Sequence, residues 1–255
     1  MKKRITVILL AVLLITAGTV FAWDSPFAEE NFGATVYLTT DYVSRGISFS
    51  DENPALQATF DYFNPIGIFA GIWASSWHSG EASNDLELGY YAGYAGGLGN
   101  IFYTLSANYY VYPGADDDDA EWNYWEFVGT AGYTFDQVSL SPTVGVAYVY
   151  SPDFWGEDGN LHYGNASLDL VLPRNFGLGF EVGYFDLEGD RTTGNGNGLD
   201  GGDGYDYFHW RVGISTTLVG FGLDLSYHDT SESGSFRDLG YHADERLVFT
   251  LSRSI

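Results

Sequence analysis

The chain has 255 residues, of which 18% are aromatic and 33 are glycine, and it contains no cysteine. Its formal charge at pH 7 is −24, from 34 acidic residues against 10 lysines and arginines. The lack of cysteine excludes disulfides, zinc–thiolate sites and a cysteine nucleophile, and the acidity excludes nucleic-acid binding through phosphates. Glycine and aromatic residues together favour sheets with tight turns over helices.

Residues 1–22 have the pattern of a secretory signal peptide. The segment opens with three cations and continues with an apolar run that is too short to span a bilayer as a helix. It ends at Ala22, a small residue that suits cleavage. We predict export and a mature domain of residues 23–255, and the alternative is an uncleaved N-terminal anchor.

A predicted hairpin in residues 85–113 shows the pattern that the rest of the chain repeats. Leu86 and Leu88 share one face of its first arm, whereas Glu87 points to the other face, because side chains alternate along a strand. Each arm has about 10 residues, the length of a tilted strand that crosses a membrane. A glycine-rich turn at residues 96–100 joins the two arms.

The same alternation predicts twelve strands. In chain order they cover residues 34–45, 55–63, 68–77, 85–95, 101–113, 122–135, 138–150, 161–172, 177–185, 205–218, 221–228 and 246–254. Pro142 lacks the N–H that a sheet ladder needs, so we expect a bulge or an irregularity there. The turns after even-numbered strands are short, such as two residues at 136–137, and the loops after odd-numbered strands are longer and more acidic.

Alternating short and long connections with an even strand count are typical of outer-membrane barrels. A sheet within hydrocarbon must close, because every backbone N–H and C=O needs a partner there. We therefore predict one all-β domain, a single transmembrane antiparallel up-and-down β-barrel of about 12 strands, after a cleaved signal peptide. Its apolar faces would meet lipid and its polar faces would line the lumen.

Three segments near the N-terminus carry a family resemblance. Residues 39–48 read Thr-Thr-Asp-Tyr-Val-Ser-Arg-Gly-Ile-Ser, residues 53–57 read Asn-Pro-Ala-Leu-Gln, and residues 73–76 read Trp-Ala-Ser-Ser. They resemble the opening of the TorF-type porin family, bacterial outer-membrane proteins of uncharacterised function, and the layout of the mature chain is similar as well. The resemblance implies a barrel and a channel, and it brings no catalytic or substrate-binding residues.

Ionisable residues on the predicted inward faces are the candidate lumen and selectivity residues. They are Asp41, Arg45, Asp61, Glu87, Glu126, Asp169, Glu181, His209, Arg211, Asp224, His228 and Arg246. A lumen of mixed charge would select among small polar solutes or ions, whereas a network of salt bridges would plug the lumen and only stabilise the barrel. Eight-stranded barrels are filled and sixteen-stranded barrels are open, so twelve strands leave both readings standing.

Asp41 and Arg45 lie four residues apart on one predicted face near the external mouth. A pair at this place would either fold the first loop inward as a constriction or only fix the strand register as an ion pair of modest strength.

An enzyme is the less favoured class. Five histidines are candidates for a rim site: His78, His162, His209, His228 and His242. His228 and Asp229 follow Ser226, but adjacent strand residues point to opposite faces, and no nucleophile motif is present. We therefore predict no catalytic residues.

Residues 201–208 match one copy of a calcium-binding nonapeptide. Such sites need stacked repeats to complete the shell of each ion, so we predict no metal and no cofactor. The acidic run at 116–119 is expected to be a solvated loop or a weak divalent-ion binder beside lipid head groups.

These patterns predict a porin-like channel in a Gram-negative outer membrane, reached through the periplasm, for passive diffusion of small polar solutes or ions. Its expected partners are outer-membrane lipid and lipopolysaccharide, the transported solutes, and the barrel-assembly machinery. The alternatives are a structural or adhesin barrel with a plugged lumen and a barrel enzyme such as a lipase, acyltransferase or protease.

Overall fold

The computed structural model describes residues 28–77, 85–115, 121–156, 159–189, 204–232 and 243–255. Its strands are β1 (Phe32–Thr39), β2 (Val43–Ser44), β3 (Ile47–Ser48), β4 (Ala55–Phe63), β5 (Ile68–Ser76), β6 (Leu86–Leu98), β7 (Ile101–Val111), β8 (Tyr124–Thr134), β9 (Thr143–Ser151), β10 (Leu161–Leu172), β11 (Phe176–Leu187), β12 (Tyr205–Leu218), β13 (Phe221–Thr230) and β14 (Arg246–Ser254). Twelve of them form one closed antiparallel barrel, and β2 and β3 pair only with each other.

The barrel closes where β1 meets β14. Tyr37 lies opposite Ser252 in this pair, and the Ile255 N–H donates to the carbonyl oxygen of Ala34 at 2.9 Å. Every barrel strand therefore has two neighbours, which is the condition for a sheet in hydrocarbon. The predicted class, an all-β up-and-down barrel of twelve strands, is confirmed.

The outer surface of the barrel is apolar. Val182 on β11 is 50% exposed, while the neighbouring inward-facing Gly183 is buried. The same alternation exposes apolar side chains around the ring, including Val36, Leu56, Phe60, Ile72, Leu105, Phe127, Val146, Phe208 and Leu225. A continuous apolar surface of this kind suits contact with lipid tails.

The two ends of the barrel differ in the length of their connections. One end, the short-turn end, carries the connections 64–67, 99–100, 135–142, 173–175 and 219–220, and β1 begins and β14 ends there. The other end, the long-loop end, carries all the longer loops, starting with residues 40–54 between β1 and β4. Within the described ranges, no helix is long and apolar enough to cross a membrane.

The first predicted strand, residues 34–45, is wrong at its C-terminal part. The barrel strand ends at Thr39, whose hydroxyl donates to the carbonyl oxygen of Asp41 at 2.7 Å. The Thr40 hydroxyl then accepts the Phe249 N–H at 3.0 Å, in place of a backbone acceptor. The chain turns away from the wall here, a change that side-chain alternation does not report.

Two predicted connections between strands, at 136–137 and at 96–100, are also corrected. The strands predicted at 122–135 and 138–150 are Tyr124–Thr134 and Thr143–Ser151, and residues 135–142 join them instead of a two-residue turn. Pro142 is the reason, because β9 begins directly after this residue, which has no N–H to pair. The predicted turn at 96–100 narrows to Gly99 and Asn100, since β6 continues to Leu98.

Candidate functional site

The first loop enters the barrel as a small hairpin, which we call the plug hairpin (residues 41–50, including β2 and β3). Tyr42 and Ile47 are buried, as are Ser48 and Ser50. Its turn is Arg45-Gly46, with φ of 50° and 85°. Positive φ at both central residues is the two-residue turn that suits the twist of a hairpin, and glycine adopts it without strain.

Asp41 anchors the base of the plug hairpin. Its Oδ1 accepts hydrogen bonds from the hydroxyls of Ser48 at 2.6 Å and Ser50 at 2.8 Å. Its Oδ2 pairs with Nη1 of Arg246 on β14 at 3.0 Å. One buried carboxylate therefore closes the hairpin on itself and binds it to the barrel wall.

Arg45 holds the tip of the plug hairpin on the far side of the lumen. Its Nη2 lies 2.5 Å from Oε1 of Glu126 on β8. The guanidinium carbon lies 4.9 Å from the ring centroid of Tyr163, 6.0 Å from that of Phe185 and 5.9 Å from that of Phe154. We call Glu126 and these three rings the guanidinium cage.

The hairpin spans the width of the barrel. It leaves the wall at β1, and the strands that carry Glu126, Tyr163 and Phe185 stand on the opposite side of the ring. Burial is the largest single influence and lowers the pKa of Arg45, but the Glu126 carboxylate and the neighbouring Tyr124 and Tyr110 together raise it above its usual value, so the guanidinium stays charged. The tip contact is therefore a charged pair stacked on aromatic rings.

The backbone of the tip also fits the wall closely. The Tyr207 hydroxyl donates to the carbonyl oxygen of Arg45 at 3.0 Å. A Cβ placed on Gly46 would lie 2.6 Å from Cβ of His209 and 2.7 Å from Cγ2 of Thr230. The barrel wall therefore leaves no space for a side chain at position 46.

Aromatic rings surround the hairpin in the half of the lumen near the long loops. Tyr42 packs on Trp73 with ring centroids 5.5 Å apart, and Phe49 packs on Trp77 at 6.2 Å. Trp77 in turn contacts Tyr112 at 4.8 Å. This half of the interior is aromatic rather than polar, unlike the predicted lumen, because inward and outward positions of these strands are both apolar.

Glu87 lies within this aromatic layer. Its Oε1 accepts the Tyr112 hydroxyl at 2.9 Å. Its buried Oε2 has no hydrogen-bond partner in the described ranges. The contrast with Glu126, which is equally buried but paired with Arg45, separates two kinds of inward carboxylate.

The half of the lumen near the short turns is lined differently. Small inward residues recur there, including Ser106, Thr130, Gly145, Ser167, Gly179, Ser215 and Ser252. Glu181, Arg211 and His228 lie opposite one another in register on β11, β12 and β13. Arg211 Nη2 pairs with Oδ1 of Asp224 at 2.8 Å, while Asp61 on β4 accepts a hydrogen bond from Tyr91.

Ten of the twelve candidate lumen residues lie on inward strand faces: Asp61 on β4, Glu87 on β6, Glu126 on β8, Asp169 on β10, Glu181 on β11, His209 and Arg211 on β12, Asp224 and His228 on β13, and Arg246 on β14. The remaining two, Asp41 and Arg45, lie on the plug hairpin. They do not pair with each other, because each reaches a different part of the barrel wall. The loop does fold inward, but through these separate pairs.

Sequence reasoning missed the aromatic part of the cage. Tyr163, Phe185 and Tyr207 are directly opposite one another on β10, β11 and β12, and all three are buried. The same inward alternation that selected the ionisable residues would have found this aromatic row. Phe154 comes from the loop after β9, and no periodicity signals it.

The candidate histidines and acidic segments contribute less to a functional site. His162 faces outward and its Nδ1 lies 2.6 Å from the Tyr148 hydroxyl, whereas Ser226 Oγ lies 3.0 Å from Nε2 of His228 in the lumen. His78, His242, the acidic run 116–119 and residues 201–203 lie outside the described ranges. Among the described residues, no three His, Asp or Glu side chains come together to hold a metal ion.

The chain was compared with known families, curated proteins and solved structures. Residues 23–255 match the model of a family described as a bacterial protein of unknown function, Gcw_chp. No curated protein matches the sequence significantly. The NanC porin matches with a TM-score of 0.53 and 10% identity, over 86% of this chain and 97% of that chain. An outer-membrane channel from Pseudomonas putida F1 matches with a TM-score of 0.48 and 10% identity, over 93% of this chain and 100% of that chain.

Proposed function

The chain belongs to the Gcw_chp family of bacterial proteins of unknown function, and we propose that it is a porin-like channel of a Gram-negative outer membrane. It lets small polar solutes or ions diffuse passively, and the plug hairpin is its constriction. The resemblance of residues 39–48 to the TorF-type porin family supports the same class. The likeness to the NanC porin supports the barrel fold that such a channel needs.

One observation carries this proposal: charged side chains inside the barrel keep contact with solvent. Asp61, Asp169, Glu181 and Arg211 point into the lumen, yet each is only partly buried. Burying an unpaired charge in a dry interior costs roughly several kcal/mol of desolvation free energy. Partly exposed charges around the short-turn half are therefore those of a water-filled passage.

The orientation follows from the connections. Outer-membrane barrels place short turns in the periplasm and long loops outside the cell. In this orientation the plug hairpin narrows the barrel from the external side, and the apolar band meets membrane lipid. The long-loop end would then contact lipopolysaccharide, and the barrel-assembly machinery would insert the chain after its export through the periplasm.

Conductance in planar bilayers tests the channel. We expect small steps from the unaltered protein and steps at least about twofold larger from an Arg45→Ala variant, because the tip of the constriction loses its anchor. An Arg174→Ala variant is the matched control, since Arg174 is exposed in a short turn. Intact barrels that carry no current with or without Arg45 would overturn the proposal.

A structural barrel with a plugged lumen is the second candidate. The observation that favours it is the packed aromatic layer around the hairpin, in which the ring centroids of Trp122 and Trp155 lie 4.6 Å apart. The same bilayer recordings separate the two candidates, because a structural plug predicts no current from the unaltered protein or from the Arg45→Ala variant.

An enzyme is supported less well by the lumen geometry. His228, next to Ser226, lies directly opposite Arg211 and Arg246 on the neighbouring strands. A histidine that acts as general base becomes a cation, and two facing arginines disfavour that charge. Esterase and protease assays on the purified barrel would test for such an activity.

A further inference from the structure

The guanidinium cage has the composition of a cation-binding site. Glu126 is 2% exposed and supplies the negative charge, and three aromatic rings supply flat surfaces that attract cations. Its occupant in this structure is Arg45, a residue at the tip of a hairpin that comes from the other side of the lumen. A side chain from the constriction thus fills a site built into the wall.

We propose that the guanidinium cage is a binding site for solutes that carry a guanidinium group, and that Arg45 is its built-in competitor. A solute that occupies the cage displaces the tip of the plug hairpin and widens the passage. This inference rests on the proposed channel function and adds the class of solute that opens it.

The chemistry of the cage favours guanidinium over other cations. A guanidinium is planar and weakly hydrated, so it stacks on rings and donates to a carboxylate at the same time, whereas an ammonium is a compact and strongly hydrated charge. Of the three rings, Tyr163 lies nearest to the guanidinium carbon of Arg45, and Glu126 accepts a hydrogen bond from the same guanidinium. A neutral urea group has a similar shape but cannot compensate the buried Glu126 charge.

The competition is physically feasible because the tip is held by few groups. Apart from the cage, the tip is fixed by the Tyr207 hydrogen bond to the Arg45 carbonyl and by packing at Gly46. The base stays anchored through Asp41 and Arg246 when the tip leaves. A tethered group on a short linker acts at an effective concentration on the order of mM, so solute at mM levels competes with it.

Methylguanidinium is the probe, with methylurea and sodium chloride at equal concentration as controls. In planar bilayers we expect mM methylguanidinium to raise the conductance of the unaltered protein, and we expect no change with methylurea. The Arg45→Ala barrel already has a vacant cage, so the probe should not raise its conductance further. An equal response to all three additives would overturn the inference.

A binding titration is independent of any current. Calorimetry should show methylguanidinium binding to Arg45→Ala, at least about tenfold weaker binding to Arg45→Ala with Glu126→Gln, and none of methylurea. If the Glu126 change prevents folding, Arg45→Ala with Phe185→Leu removes one ring instead and should also weaken binding. Affinity that is unchanged in a folded double variant, or no binding to Arg45→Ala, would overturn the cage.

The two proposals fail in different ways. Current without binding of methylguanidinium removes the cage and leaves the channel. Binding without current in any variant removes the channel and, with it, the opening step.

Discussion

Glu87 and Glu126 are each 2% exposed inside the barrel, but their surroundings differ. Glu126 faces the charged Arg45, whereas Glu87 accepts a Tyr112 hydrogen bond on one oxygen and, among the described residues, has no hydrogen-bond partner on the other. Removing one member of a buried ion pair leaves an uncompensated charge. Neutralising a buried carboxylate that has no cation removes a charge that was costly to bury. The two residues should therefore respond differently to the same substitution.

We predict that Glu126→Gln exposes Arg45 to trypsin and that Glu87→Gln does not. Losing the partner of a buried charge costs about 3–5 kcal/mol, which is more than enough to release the hairpin tip. Cleavage after Arg45 in the folded barrel, followed by fragment mass, should be at least about tenfold faster in Glu126→Gln. Equal cleavage rates in the two variants would contradict the role given to the ion pair.

At the scale of elements, the plug hairpin shows where sequence reasoning succeeds and where it stops. Alternation assigned ten of the candidate ionisable residues to strand faces that point inward, because the period of two is a local property. The first strand was extended too far, because residues 40–45 continue an acceptable alternation after the wall has ended at Thr39.

The partners of the hairpin could not be found in this way. Arg45 pairs with Glu126, 81 residues away, and Asp41 pairs with Arg246, 205 residues away. Such pairs depend on which strands stand opposite one another after closure. The sequence leaves two roles open for a pair of Asp41 and Arg45, an inward-folded constriction or an ion pair that fixes the register. The loop does fold inward, but Asp41 and Arg45 do not pair with each other. The hairpin turns at Arg45-Gly46, where both residues have positive φ.

Gly46→Ala tests the seating of the hairpin without changing a charge. The added Cβ would meet Cβ of His209 and Cγ2 of Thr230, so the tip cannot seat and conductance should rise as it does in Arg45→Ala. Gly114→Ala is the matched control: its φ of 82° is close to the 85° of Gly46, but no atom lies within 4 Å of its added Cβ. If both variants conduct alike, backbone strain rather than the fit of the tip explains the effect.

At the scale of the whole molecule, acids outnumber cations inside the barrel as they do in the whole chain. The inward acids are Asp41, Asp61, Glu87, Glu126, Asp169, Glu181 and Asp224, and the inward arginines are Arg45, Arg211 and Arg246. Each arginine forms an ion pair with one acid. Among the described residues, Asp61, Glu87, Asp169 and Glu181 have no ion pair of their own. All of these except the buried Glu87 are partly exposed, so the passage keeps a negative charge where solvent reaches it.

This surplus predicts a preference for cations. A narrow aqueous passage between walls of low dielectric focuses the field of its charges and raises the local concentration of counter-ions. Asp169 and Glu181 supply the surplus on one wall: Arg211 lies directly opposite Glu181, but its guanidinium pairs with Asp224. Selectivity should therefore depend on these two carboxylates and not on the net charge of the chain.

The measurement is the reversal potential under a potassium chloride gradient in the Arg45→Ala background. We expect potassium to be preferred over chloride, and we expect Asp169→Asn with Glu181→Gln to reduce that preference because the lumen loses two carboxylates that form no ion pair in the described part of the chain. Asp186→Asn with Asp206→Asn is the matched control, since these exposed acids lie on the outer face of β11 and β12. The control substitutions remove the same amount of charge from the molecule. An equal loss of selectivity in both double variants would mean that the charge of the whole barrel, and not its lining, sets the preference.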